Sequence, residues 1–156
     1  MREINGRLEG GGLRVCLLAA RFNESVVLRL VEGARRALLQ HGVAEESIEL
    51  IWVPGAFELP AALAARLRSS APDAVVALGA VIRGETAHFE YVAGAACAGL
   101  AELSRTSGVP VGFGVLTVNS PEQAAERAGG KLGNKGWDAA CAALELASVL
   151  AQMRND

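Results

Sequence analysis

Aromatic side chains, excess positive charge and metal-binding clusters are scarce in this sequence, and each shortage removes a class of function. Aromatic residues make up 4% of the 156, and the 15 Lys and Arg are offset by 17 Asp and Glu spread along the chain. A formal charge of −2, with no basic block or interleaved aromatic stripe, argues against a nucleic-acid or membrane-surface partner. Apolar residues reach 51%, yet no unbroken run approaches a membrane span. The two histidines, His41 and His88, are far apart, and the three cysteines, Cys16, Cys97 and Cys141, have no C-x-x-C spacing. No metal-ligand cluster is expected from them. An odd number of thiols in apolar contexts predicts reduced, buried cysteines in a cytosolic protein. The opening MREINGRLEG has neither an apolar h-region nor the Ser/Arg bias of a transit peptide, which predicts a cytoplasmic location.

Nucleotide-binding glycine motifs are missing as well. The first strand pattern runs into AARFN instead of G-x-G-x-x-G. Residues 129–135 fail the Walker spacing, because Asn134 stands where the second glycine belongs and no Ser or Thr follows Lys135. Gly112-Phe113-Gly114 lies inside a strand pattern and opens no helix. NAD and ATP are therefore poor candidates.

What is present is an Ala-, Val- and Leu-rich chain, a composition that suits close helix packing and surface buried against copies of itself. Its length predicts one domain over residues 1–156, with residues 1–12, ending in Gly10-Gly11-Gly12, as an arm suited to reach a neighbouring subunit. Strand patterns at 13–19, 48–53, 74–82 and 111–116 alternate with helical patterns at 24–40, 57–69 and 88–106. Asn119-Ser120-Pro121 signals a helix start, and two final helices are split by the glycine-rich residues 129–136. Continuous apolar strands imply a sheet covered on both faces. Strand–helix repetition implies right-handed crossovers, and hence an α/β fold with a four-stranded parallel sheet in a three-layer α/β/α sandwich.

Ligands of open parallel sheets bind beyond the carboxyl ends of the strands. Four clusters fall there: residues 20–23, 54–58, 83–88 and 117–119. The third is the most informative. An apolar run ends abruptly in Arg83-Gly84-Glu85-Thr86, and His88 follows at a helix start. A cation, a flexible glycine, a hydroxyl, free backbone N–H groups and an imidazole suit holding an anion and moving protons. Taken singly, each residue also has a plain structural reading. His88 could cap backbone groups, and His41, beside Gly42, could interact with a helix dipole. Phe22 could plug a loop against a helix, Phe113 could sit in the core, and Glu58 could be a first-turn acid. Arg127 and Lys131 could be solvated charges, and Lys135 could occupy a turn.

The combination resembles one family. Ala20-Arg21-Phe22-Asn23, the run VPGAFELP at 53–60, GAVIRGETAHFEY at 79–91, FGVLT at 113–117, and EQA-x-ERAG at 122–129 with GNKG at 133–136 are similar to 6,7-dimethyl-8-ribityllumazine synthases. The likeness runs in the same order from the first strand to the last helix. It implies a flavodoxin-like fold, and a transferase condensing 5-amino-6-(D-ribitylamino)uracil with 3,4-dihydroxy-2-butanone 4-phosphate in the penultimate step of riboflavin biosynthesis. By the same resemblance, Phe22 stacks on the pyrimidine ring, and Ala56, Phe57 and Glu58 line the ring and ribityl chain. Ala80, Val81 and Ile82 meet the pyrimidine edge, while Glu85 and Thr86 sit at the phosphate-bearing ketone. His88 transfers protons. Phe113 and Arg127 come from an adjacent subunit, the latter binding phosphate with Lys135 nearby. Asp138 stands where many members carry Glu. No metal or cofactor is implied, since no electron moves and no carbanion needs a sink. Homo-oligomers are implied, either a pentamer or a larger icosahedral shell, with the small-residue helix at 92–103 near a fivefold axis and riboflavin synthase as a candidate partner. Two rival readings are a non-catalytic flavin or lumazine carrier and a purely structural shell protein.

Overall fold

The computed structural model describes residues 1–154; the last two residues of the span read as one domain lie outside the described residues. Four strands, β1 (Val15–Ala20), β2 (Ile48–Val53), β3 (Ala74–Ile82) and β4 (Val111–Val118), form a parallel sheet in the order β2-β1-β3-β4. Between them run α1 (Glu24–Gln40), α2 (Leu59–Ser70) and α3 (His88–Ser107), and α4 (Pro121–Arg127) and α5 (Lys135–Arg154) follow β4. This is the expected α/β/α sandwich. One layer packs α1 and α5 on Val15, Leu17, Ala19, Val76 and Leu78; the other packs α2 and α3 on Cys16, Leu18, Val75 and Ala77. Successive strand residues point to opposite faces, so β1 and β3 need an apolar residue at every position and have one. The edge strands differ. Glu49 and Leu50 of β2 and Phe113 and Thr117 of β4 are exposed, because only the two inner strands are covered on both sides.

The boundaries read from the sequence shift where local chemistry takes over. The fourth strand runs to Val118, two residues further than its apolar pattern, because Thr117 stays in register opposite Val81. The second helix begins at Leu59, after a single 3₁₀ turn over Ala56–Glu58. Ser120 caps α4: its hydroxyl accepts from Gln123 N–H at 3.2 Å, and Gln123 Oε1 accepts from Asn119 N–H at 2.8 Å. The glycine-rich stretch is a small antiparallel ribbon, β5 (Ala128–Gly130) with β6 (Gly133–Asn134). Asn134 then caps α5, accepting from Gly136 and Trp137 N–H, and its amide donates to Arg29 O on α1 at 2.9 Å. Residues 1–12 lie along their own chain: Gly10 N–H donates to His41 O at 2.7 Å, and Gln152 on α5 donates to Asn5 O at 2.8 Å.

The cysteines are free, but only Cys16 is fully buried. Burial foremost, with Glu49 adding to it, pushes its thiol up to about 12. Cys97 is exposed, against expectation, because α3 buries only Ala96 and Leu100 against the sheet. His41 ends α1 and sets its ring edge-on to Trp137, with Nε2 3.8 Å from Cys141 Sγ.

Where α5 crosses α1 there is no room for a side chain at Gly136: a Cβ there would stand 2.0 Å from the Leu30 carbonyl oxygen. That neighbour is helix backbone and cannot swing aside. Gly136→Ala should cost about 1–3 kcal/mol, lowering the urea midpoint at an unchanged slope. An unaltered midpoint would contradict the helix crossing described.

Candidate functional site

The carboxyl ends of β1, β2 and β3 open into a cleft of about 540 Å³. Hydrogen bonds continue between β1 and β2 past their ends, with Arg21 N–H donating to Val53 O at 2.8 Å and Phe22 N–H to Pro54 O at 3.0 Å. This holds Phe22 at the rim with its ring 73% exposed. It is therefore no plug. An apolar ring held in water beside a cleft is a stacking surface awaiting a flat partner. Asn23, next in the chain, is the one non-glycine with positive φ (60°) among the described residues. Its carbonyl accepts from Val26 and Val27 N–H to start α1, and its amide donates to Ala80 O at 2.8 Å. Asn tolerates this left-handed conformation better than most residues.

The other walls come from the turns after β2 and β3. Ala56 is buried at the base, Phe57 is exposed, and Glu58 is half-buried against Gly55, where a Cβ would stand 3.1 Å from Glu58 Oε2. Ala80 and Val81 are buried in the floor, and Ile82 is partly covered. Thr86 and His88 sit exposed on the wall, with Phe89, Tyr91 and Val92 of α3 beside them. Glu85 lies on the same turn, exposed, but does not line the cleft. Nine residues singled out in the sequence thus converge here: Phe22, Ala56, Phe57, Glu58, Ala80, Val81, Ile82, Thr86 and His88.

No Lys or Arg lines this cleft among the described residues. Arg21 is drawn to Glu24 at 3.2 Å and lies over the Trp52 ring at 5.2 Å. Arg83, read from the sequence as a cation for an anion, faces elsewhere. Its Nη1 bonds Glu90, its Nε donates to Asn119 Oδ1 at 3.1 Å, and its guanidinium carbon stands 4.4 Å from the Phe89 ring centroid. The cations lie apart, in a second depression of about 220 Å³ flanking β4, which gathers Phe113, Arg127 and Lys135. Phe113 points away from the core, 44% exposed, because β4 is an edge. Arg127 is half-buried, donates to Gln123 O at 3.1 Å and lies 3.7 Å from Glu126. Lys135 Nζ meets Asp138 Oδ2 at 2.8 Å, so the shorter Asp reaches a partner one helical turn away. Lys131 is paired with Glu126 at 2.9 Å.

Sequence reasoning missed Asn23, Asn134, Phe89 and Tyr91 as contributors. Asn23 and Asn134 each directly precede a helix, a cap signal that could have marked them. Tyr91 follows His88 by three positions, a spacing that places both on one helix face.

A family model of 6,7-dimethyl-8-ribityllumazine synthase matches residues 12–151. That span takes in the whole four-stranded sheet and every residue of both depressions.

Glu90 reports on the turn after β3. The hydrogen bond from Arg83 foremost, then one from its own backbone, holds its carboxyl below the ordinary glutamate value. The folded value is depressed, so whatever the pair contributes is complete above the ordinary carboxylate range. It disappears as pH falls through the lowered value. NMR titration of the Glu90 carboxyl should give a midpoint below 4.5, the reference value. A midpoint at or above that would show the pair is not formed.

Proposed function

We propose that this chain, which belongs to the 6,7-dimethyl-8-ribityllumazine synthase family, condenses 5-amino-6-(D-ribitylamino)uracil with 3,4-dihydroxy-2-butanone 4-phosphate, releasing phosphate and water. The observation that carries this reading is the division of chemistry between the two depressions. The larger has an aromatic platform, a carboxylate, a hydroxyl and an imidazole but no fixed cation. The smaller has Arg127, Lys135 and an exposed Phe113 but no imidazole. A phosphate monoester carries close to two negative charges and needs cationic partners. Edge strand β4 of a second copy, set against the cleft of the first, supplies both a guanidinium and a second aromatic wall. The active form is therefore an oligomer with shared sites.

In this arrangement Phe22 stacks on the pyrimidine, with Phe113 of the neighbouring copy enclosing the ring. Ala80, Val81 and Ile82 offer main-chain groups to its edge. Glu58 accepts hydrogen bonds from ribityl hydroxyls, beside Ala56 and Phe57. Thr86, with the N–H groups of its turn and Glu85 next to it, meets the phosphate-bearing ketone. Arg127 and Lys135 of the neighbour complete the anion site. The 5-amino group attacks the ketone carbonyl and water leaves; phosphate is eliminated, and the ribitylamino nitrogen closes the ring on the remaining carbonyl, expelling a second water. Each step moves protons near neutral pH, a task suited to imidazole, whose reference pKa is about 6.5. Holding two substrates together accounts for most of the acceleration, since effective molarities reach roughly 10⁵–10⁸ M.

His88→Ala should slow turnover by no more than about 10²–10⁴-fold, because the entropic advantage of the bound pair survives. A folded variant no faster than the uncatalysed mixture, followed by lumazine fluorescence, would contradict that division of labour. Arg127→Ala should raise KM for the phosphate substrate about 10- to 100-fold, the range for a hydrogen bond to a charged group. Unchanged KM would reject the assignment. Sharing has its own check: co-refolding His88→Ala with Arg127→Ala chains should give more activity than either variant refolded by itself. A wild-type protein that is active as a monodisperse monomer in light scattering would refute the shared site.

A further inference from the structure

The turn after β3 carries Thr86 and leads into His88, yet it has little backbone support of its own. The N–H groups of Gly84, Glu85 and Thr86 donate to no protein group among the described residues. The first backbone bond beyond the strand end, Arg83 N–H to Val118 O at 2.8 Å, stops just short of them, and the next, Glu90 N–H to Ala87 O at 3.2 Å, lies on the far side. Such a segment is costly to hold in one shape, because each ordered residue loses backbone entropy. It is nevertheless closed at its base, by a side chain.

We propose that Arg83 is a positioning residue that clamps this turn open for the phosphate-bearing substrate, rather than a ligand of the phosphate. The proposal rests on the functional reading above. Arg83 leaves β3 and returns across the turn to the first turn of α3, pairing with Glu90 and stacking on Phe89 at 4.4 Å, the two residues directly after His88. A third arm reaches Asn119 at 3.1 Å, whose own N–H is held by Gln123 of α4. One planar guanidinium thus ties β3, α3 and the β4–α4 turn together. Its fork and its flat face are engaged at the same time, a combination that the point charge of a lysine cannot reproduce. Because the head group is engaged by Glu90, Asn119 and the Phe89 ring, binding phosphate would require it to leave these partners. Exposure leaves each contact modest, and three converging on one group offset that.

The two roles predict opposite effects at Glu90. A clamp is weakened by losing either partner, whereas a direct phosphate ligand is freed when Glu90 is removed. Arg83→Ala, Arg83→Lys and Glu90→Ala should each raise KM for the phosphate substrate, by roughly five- to thirty-fold for Arg83→Ala and about two- to five-fold for Glu90→Ala, with KM for the aminouracil little changed. Arg83→Ala/Glu90→Ala should be no worse than Arg83→Ala alone. In ligand-free protein, the backbone ¹⁵N order parameters of residues 84–86 should fall in both alanine variants without a matching fall in the urea midpoint. Tighter use of the phosphate substrate by Glu90→Ala, or unchanged order parameters in both variants, would overturn the clamp. Should Arg83→Ala fail to fold, Glu90→Ala, altered at a half-exposed position, carries both measurements. If wild-type protein shows no condensation, the functional reading fails while the order parameters still decide the clamp.

Discussion

Burial of β1 and β3 on both faces is the constraint from which the rest of this structure follows. Two strands with no solvent-facing side must be apolar throughout, so they can carry no polar chemistry along their length. Parallel pairing sends all four strands the same way, which places every turn after a strand on one edge of the sheet. Polar and aromatic side chains excluded from the interior gather at that edge. The cleft is the consequence: its floor is the last buried residues of β3, and its walls are the turns that the sheet could not absorb.

The edge strands have the complementary property. β4 is covered along its α5 side, but on its other side Val115 is buried while Phe113 and Thr117 turn outward next to Arg127 and Lys135. Within one chain, the aromatic, carboxylate and imidazole groups of the cleft and the cations beside β4 therefore occupy separate depressions. Electrostatics explains why they stay apart within one chain. Arg21 and Arg83, the cations nearest the cleft in sequence, are neutralised by Glu24 and Glu90 and stacked on aromatic rings, where they hold backbone in place. Their charge serves the frame, and the cations beside β4 are ion-paired at the surface in their turn, Arg127 with Glu126 and Lys135 with Asp138.

Much of the architecture was legible because it depends on short-range periodicity. Continuous apolar runs marked the strands, and Gly42 marked the end of the first helix, where it has the left-handed backbone such ends use. Errors arose where pairing partners, not local pattern, set the outcome: Thr117 extends a strand because Val81 lies opposite. The thiols illustrate the same limit, since apolar neighbours in sequence surround both Cys16, which is buried, and Cys97, which is exposed. At the site, residue types and order were readable from long motifs. Side-chain direction was not, and Arg83 is the clearest case.

The sequence by itself determined the order of strands and helices, the position of the chemistry-bearing turns after the strands, and the family to which these motifs belong. These depend on side-chain type and spacing, which the chain carries with it. Only the tertiary structure decided that Phe22 stands free at a rim, that Arg83 turns towards Glu90 and Asn119, and that Phe113, Arg127 and Lys135 form a depression of their own. Those outcomes depend on which strand lies at an edge and which opposite charge lies within reach. Neither distance exists until segments remote in sequence have packed together.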